Sequence, residues 1–224
     1  MRWIVPILTL AAAVLPAADN LQSALARMDQ AAAGFKGLTA DMKKDHFVKV
    51  IEDHTVDEGS IKVKRAKPKE FRMLVDVTRP DPKKYSIDEK KVQLYLPKQN
   101  TVQIYDLSGK NRALAEQFLL LGFGSNSADL TSAYTVQFGG AETVDGQKAT
   151  RLELTPKSKE ILQHVPKIEL WISDANGLAV QQKFYEPGGD YTLATFTNMK
   201  PAPNLTDADV KLDFPKDVVK QQMK

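Results

Sequence analysis

From Gly37 onward, apolar residues recur at every second position in run after run. Leu38, Ala40 and Met42 alternate with polar residues, and Ile61 and Val63 alternate with Lys62 and Lys64. Phe71, Met73, Val75 and Val77 alternate with Arg72, Leu74 and Asp76; Val92, Leu94 and Leu96 alternate with Gln93 and Tyr95. Val136 and Phe138, Leu152 and Leu154, Ile168, Leu170 and Ile172, Leu178 and Val180, then Tyr191, Leu193 and Thr195 continue the pattern. Successive side chains of a strand point to opposite faces, so each run has one apolar and one wet face, as in an antiparallel sheet. Glu58-Gly59, Gly139-Gly140, Asp145-Gly146, Asn176-Gly177 and Gly188-Gly189 read as turns between runs, and Pro80, Pro82, Pro97, Pro156, Pro166 and Pro187 also fall there. A sheet of about ten strands must curl or split to bury its apolar face. No composition break or internal repeat divides the chain, so one curled sheet in one domain is the simplest solution.

Two segments break the alternation. Leu21, Leu25, Met28 and Ala32 recur at helical spacing, with Asp19 or Asn20 to cap the start and Gly34 to end it. This predicts an amphipathic helix of about four turns. Lys110 to Phe123 is the second interruption. Leu114, Phe118 and Leu121 share a helical face, Leu119, Leu120 and Phe123 widen it, and Gly122 and Gly124 stop it before the loop Ser125-Asn126-Ser127. A short, very apolar helix among strands needs an apolar partner, and the concave sheet face is the obvious one. A plug filling the core and a movable lid both fit; the residues alone favour the plug. The predicted class is mainly β with helices (α+β).

The first residues read as an export signal. Met1-Arg2-Trp3 carries one positive charge, Ile4 to Leu15 is almost unbroken apolar sequence, and Pro16-Ala17-Ala18 offers small residues for cleavage. The apolar run is about a dozen residues, short of the ~20 of a spanning helix; an uncleaved anchor is the alternative. The domain division expected is a signal peptide over 1–18 and a folded domain over 19–224. The 224 residues contain no cysteine. Disulfides, thiolate metal sites and thiol nucleophiles are thereby excluded, and so is lipidation of a cysteine at the cleavage site. The expectation is an exported, unlipidated, soluble chain.

Little points to catalysis. His46, His54 and His164 form no helical metal pair, although His54, Asp53 and Glu58 offer a metal-ligating set of low specificity. Gly122-Phe123-Gly124-Ser125 has neither the strand before it nor the lysine after it that nucleophile elbows and phosphate loops need. No enzyme activity, cofactor or metal is expected. Formal net charge is only +3, yet Lys62 to Arg72 holds six cations in eleven residues. A polyanion or anionic headgroup site is one reading and a wet strand face the other. Arg65 and Lys67 share strand phase with Ile61 and Val63, which puts a cation on the apolar face. A guanidinium there needs acceptors, and the last carbonyls of a nearby helix would suit it.

With these residues in view, the chain resembles the periplasmic outer-membrane lipoprotein carriers, the LolA-like family. The order matches: export signal, amphipathic helix, antiparallel strands, apolar helix, more strands. Gly59-Ser60-Ile61-Lys62-Val63-Lys64-Arg65 followed by Pro68 and Phe71-Arg72 is similar to the family's Gly–strand–Lys-Arg-Pro–Phe segment. Val92 to Pro97, Leu152 to Pro156, Phe196 to Asn198 and Phe214-Pro215 are similar to its later strands. The resemblance covers nearly all of residues 19–224.

The resemblance implies a half-open β-barrel covered by the N-terminal and the inserted helix. It also implies a soluble, periplasmic, monomeric carrier that holds lipoprotein acyl chains and moves them from the inner to the outer membrane. Its partners would be acylated lipoproteins, an inner-membrane ABC-type releasing complex and an outer-membrane receptor, with no nucleic acid. A LolA-fold lipid-binding regulatory sensor or lipid transporter of the cell envelope is the alternative. Leu38, Met42, Ile61, Val63, Phe71, Met73, Val75, Leu94 and Leu96 are the expected cavity lining. Leu114, Phe118 and Leu121 are the expected lid. The family latches its lid with one Arg directly before Pro; here two residues separate Arg65 from Pro68, leaving Arg65 and Lys67 as candidates. A planar fork that bonds several carbonyls favours Arg65. The family's Asp-Gly turn is replaced by Asp88-Glu89-Lys90.

Overall fold

A computed structural model describes residues 21–67, 70–88, 90–107 and 121–223. In chain order these are helix α1 (Leu21–Gly34), strands β1 (Gly37–Val48), β2 (Asp53–Lys67), β3 (Glu70–Arg79), β4 (Lys83–Ile87), β5 (Lys91–Leu96) and β6 (Thr101–Asp106). Helix α2 (Ser127–Ala133), β7 (Tyr134–Val144), β8 (Gln147–Pro156), α3 (Lys159–Leu162), β9 (Lys167–Ser173), β10 (Ala179–Tyr185), β11 (Tyr191–Pro201) and β12 (Val219–Met223) follow. The strands make one twelve-stranded sheet in the order β12-β6-β5-β4-β3-β2-β1-β11-β10-β9-β8-β7. Its margins, β7 and β12, do not meet, so the sheet curls into an open half-barrel.

The sheet is mixed rather than wholly antiparallel. β12 runs parallel to β6, from Val219 opposite Thr101 to Met223 opposite Tyr105. A parallel pair needs a crossover. The chain after β11 supplies it by crossing the convex face, where Val210 and Leu212 are buried and Phe214 packs against Tyr95 at 6.2 Å. β4, β6 and β12 exceed the strands that alternation reveals. β4 buries only Ser86, and β12 is exposed almost throughout, so neither carries an apolar face to read. Two glycine signals also mark something other than turns. The β1–β2 turn lies at Lys49–Glu52, whereas Gly59 sits within β2. A Cβ at Gly59 would come 1.9 Å from the Asp76 carbonyl oxygen, so this glycine permits a close approach of β2 and β3 at a bulge. Gly139 and Gly140 form a bulge in β7. Asp145-Gly146, Asn176-Gly177 and Gly188-Gly189 are turns, with left-handed backbone at Asp145, Gly146, Gly177, Gly188 and Gly189.

The concave face is covered in two parts. Ala24, Leu25 and Met28 of α1 pack on Leu152, Leu154, Ile168, Leu170 and Ile172, closing the β8–β9 half. α2 joins this layer through Leu130; Asn126 caps it by accepting from the Asp129 amide at 2.7 Å. Asp29 of α1 accepts from the Ser127 amide and hydroxyl, each at 2.7 Å, which fixes the two helices together. The β1–β3 half carries Leu38, Met42, Ile61, Val63, Met73, Val75 and Val77 beneath Phe35 and Phe123. Met28 is 1% exposed at the centre of the first part. Met28→Ala is expected to cost about 2–4 kcal/mol, read as a lower denaturant midpoint at unchanged slope.

Candidate functional site

Arg65 stands where the two covered parts meet. β2 and β3 slip by one residue between Arg65, opposite Phe71, and Lys67, opposite Glu70. This bulge separates two side chains that share phase in an unbroken strand. Arg65 points inward, while the Lys67 side chain is 71% exposed and pairs with Glu70 at 3.2 Å. Lys67 is therefore no alternative for an inward fastening. The Arg65 guanidinium donates from Nη1 to the Ala32 carbonyl, at 2.9 Å, in the last turn of α1. From Nη2 it donates to the Gly124 carbonyl, at 2.7 Å. Phe35 and Phe71 flank it, with ring centroids 5.7 and 5.2 Å from Cζ. Burial lowers its pKa, and among the described residues no carboxylate offsets the cost.

The segment that receives Arg65 is tied at three carbonyls. Gln182 donates to the Leu121 carbonyl, the Ala179 amide to that of Gly122 at 3.0 Å, and Arg65 to that of Gly124. Gly122 has φ +80°, and a Cβ there would lie 2.2 Å from the Ala179 Cβ. Residues 121–124 form a turn, and Leu121 is buried among the α1 contacts rather than over the β1–β3 surface. Phe123 occupies that surface instead, edge-on to Phe196 at 4.8 Å. Leu114 and Phe118 lie outside the described residues.

Of the expected lining, Leu38, Met42, Ile61, Val63, Met73 and Val75 come together in one buried cluster, and Phe71 packs on it half-buried. Leu94 and Leu96 do not join it. Register carries the same face onward, from Val75 to Tyr85 to Leu94 and from Met73 to Ile87 to Val92 to Tyr105. Cover thins along this path: Tyr85, Ile87, Val92, Leu94 and Leu96 are half-buried and Tyr105 is exposed. Among the described residues, the concave face thus keeps a half-covered apolar strip over β4–β5. Phe35, Phe123 and Phe196 are the lining residues that alternation misses, because each depends on a loop or a distant strand arriving there.

At the far end of β1 and β2 the apolar face stops at ions. Lys44, in phase with Met42, lies opposite Asp57, and Lys83 lies opposite Val77. The Asp57 side chain, 3% exposed, accepts from Lys44 at 2.8 Å and Lys83 at 3.0 Å. Burial alone would raise the Asp57 pKa; the two ammonium groups outweigh it and hold the carboxyl below its usual range. Within the basic run, Lys64, Lys67 and Arg72 have carboxylate partners. Lys64 and Arg72 both reach Asp207 at 2.5 Å on the convex side. His54 pairs with Asp45 at 2.9 Å and Glu58 with Arg79, and among the described residues no three potential ligands gather around a metal position.

A curled, open sheet with a helix laid in its concave face and an inward arginine bonded to two segments of the cover defines a half-barrel fold. Residues 37–213 match the family model described as outer membrane lipoprotein carrier protein LolA, and the chain belongs to that family. No curated protein matches the chain. Among solved structures, an uncharacterized conserved protein from Thermus thermophilus is 18% identical at TM-score 0.55, covering 90% of this chain and 98% of its own. MucB, known also in complex with MucA in Pseudomonas aeruginosa, is 16% identical at TM-score 0.53 and covers 88% of this chain. This chain spans 64% of MucB. A LolA superfamily protein from Nitrosomonas europaea is 15% identical at TM-score 0.43, with 87% and 99% covered.

The buried carboxylate gives the fold an acid limit. A depressed Asp57 pKa contributes stability above the unfolded value of about 4, lost as pH falls through the lower folded value. Lowering pH from about 5 to 3 should reduce the denaturation midpoint less in Asp57→Asn than in the unmodified protein, measured by urea titration at each pH.

Proposed function

We propose that the protein is an exported periplasmic carrier that holds the acyl chains of lipoproteins on its concave face and moves them from the inner to the outer membrane. It receives cargo from an ABC-type complex and yields it to an outer-membrane receptor. Family membership supports this reading, and one observation carries it. The end of α1 and the 121–124 turn are joined over the apolar face by the hydrogen bonds of a single guanidinium. Such a fastening can open without dismantling the core. Two hydrogen bonds to a charged donor contribute about 3–6 kcal/mol. Burying a methylene gains about 0.8 kcal/mol, so about four to eight methylenes of one acyl chain offset the loss. The half-buried strip over β4–β5 is the surface such a chain meets first. Methionines at 42 and 73 can adapt to chains of different shape.

The test is mass spectrometry of protein purified gently from the periplasm, with acylated polypeptide expected to co-purify. Lipid without polypeptide would favour a lipid transporter, and capture of a membrane-bound regulator by crosslinking in cells would favour a sensor. Arg65→Leu and Phe118→Ala are expected to impair lipoprotein uptake and release while leaving the circular dichroism spectrum unchanged. Normal transfer by both variants would overturn the assignment of the latch and lid.

A further inference from the structure

We propose that Lys44 and Lys83 form an anion-binding site at the polar end of the concave face, which selects acyl ligands whose head carries an oxyanion, a carboxylate or a phosphate. This rests on the reading that the concave face takes up acyl chains; it does not depend on the transport step.

The position is unusual for ions. Met42, Val77 and Ala194 of the apolar cluster adjoin the pair: Met42 precedes Lys44 on the same face, Ala194 lies opposite Lys44, and Val77 lies opposite Lys83. The one carboxylate that both lysines meet is Asp57; Asp81 also acts on Lys83 but is itself paired with Lys98 at 2.7 Å, so the cluster carries an excess of one positive charge. Asp57 is occupied at both oxygens: its Oδ2 meets both ammonium groups and its Oδ1 meets Lys83 again at 3.0 Å. The lysines are not fully occupied. An ammonium has three donors, and among the described residues neither lysine has another hydrogen-bond acceptor. Their side chains keep 31% and 20% exposure. Asp57 therefore acts as a positioning residue that holds two ammonium groups side by side. An oxyanion arriving with its chain along Met42 and Val77 would meet both. Ion attraction at this depth is screened less than at an exposed surface.

The experiment is displacement of the neutral fluorophore N-phenyl-1-naphthylamine from the full chain at neutral pH, using ligands below their micellar concentrations. Hexadecanoate is paired with hexadecanol, and palmitoyl-lysophosphatidylglycerol with monopalmitoylglycerol. The unmodified protein should prefer each anionic ligand by about five- to tenfold, less at high salt. A preference in one pair only identifies carboxylate or phosphate as the group recognised. Lys44→Met and Lys83→Met should lose the preference yet bind the neutral ligands as before. Asp57→Asn removes the competing anion yet keeps a side-chain oxygen that the ammonium groups can meet, so it should strengthen the preference. Equal affinity for anionic and neutral ligands in the unmodified protein would overturn the anion site and leave acyl binding standing. Failure of every ligand to displace the fluorophore would overturn acyl binding itself. Folded lysine variants that lose both ligand types alike would show a structural role and also overturn the proposal. If those variants do not fold, the salt dependence and Asp57→Asn decide it.

Discussion

A single guanidinium joins the end of α1 to the 121–124 turn over β2. Without Arg65, α1 would still pack on β8 and β9 through Leu25 and Met28, and the 121–124 turn would still be tied to β10. The two would no longer be joined over β2. Choosing charge for this joint is costly in isolation, since the side chain is partly desolvated and faces carbonyls and aromatic rings rather than a carboxylate. A leucine would cover the same area with less penalty. What arginine adds is direction: two carbonyls at fixed positions, released together when either segment moves.

The same economy appears in the division of the concave face. The half under α1 is closed by close packing, with Leu152, Leu154, Ile168, Leu170 and Ile172 wholly inaccessible. The half toward β6 is apolar but half-covered. A packed core provides the stability, and the half-covered margin is the surface that the proposed acyl binding requires, because an apolar surface that is already filled has nothing to offer a ligand.

Much of this is legible in the residues alone. Alternation locates the long strands, because a half-buried strand displays its phase in every second residue. Arg65 is legible as an anomaly, a cation in phase with Ile61 and Val63. Other features are hidden for physical reasons. The slip between Arg65 and Lys67 comes from the pairing of two strands, so it has no signal within one of them. Phe123 reads as helix surface from its neighbours, yet the Gly122 and Gly124 turns swing it onto Phe196. The Asp57 group assembles from three strands. Two of the six cations, Lys64 and Arg72, meet Asp207, a partner that lies far away in sequence and leaves no local signal.

An open sheet faces a hazard that a closed barrel escapes: each margin is a row of unpaired amides able to recruit a neighbouring molecule. One margin is occupied by the short β12. The other is β7, eleven residues long and the more dangerous of the two. The irregularity at Phe138–Gly140 splits it into two short stretches with different twist, and Gly140 adopts φ +131° there. No long straight template is presented, so the architecture can leave its interior accessible without seeding fibrils from its rim.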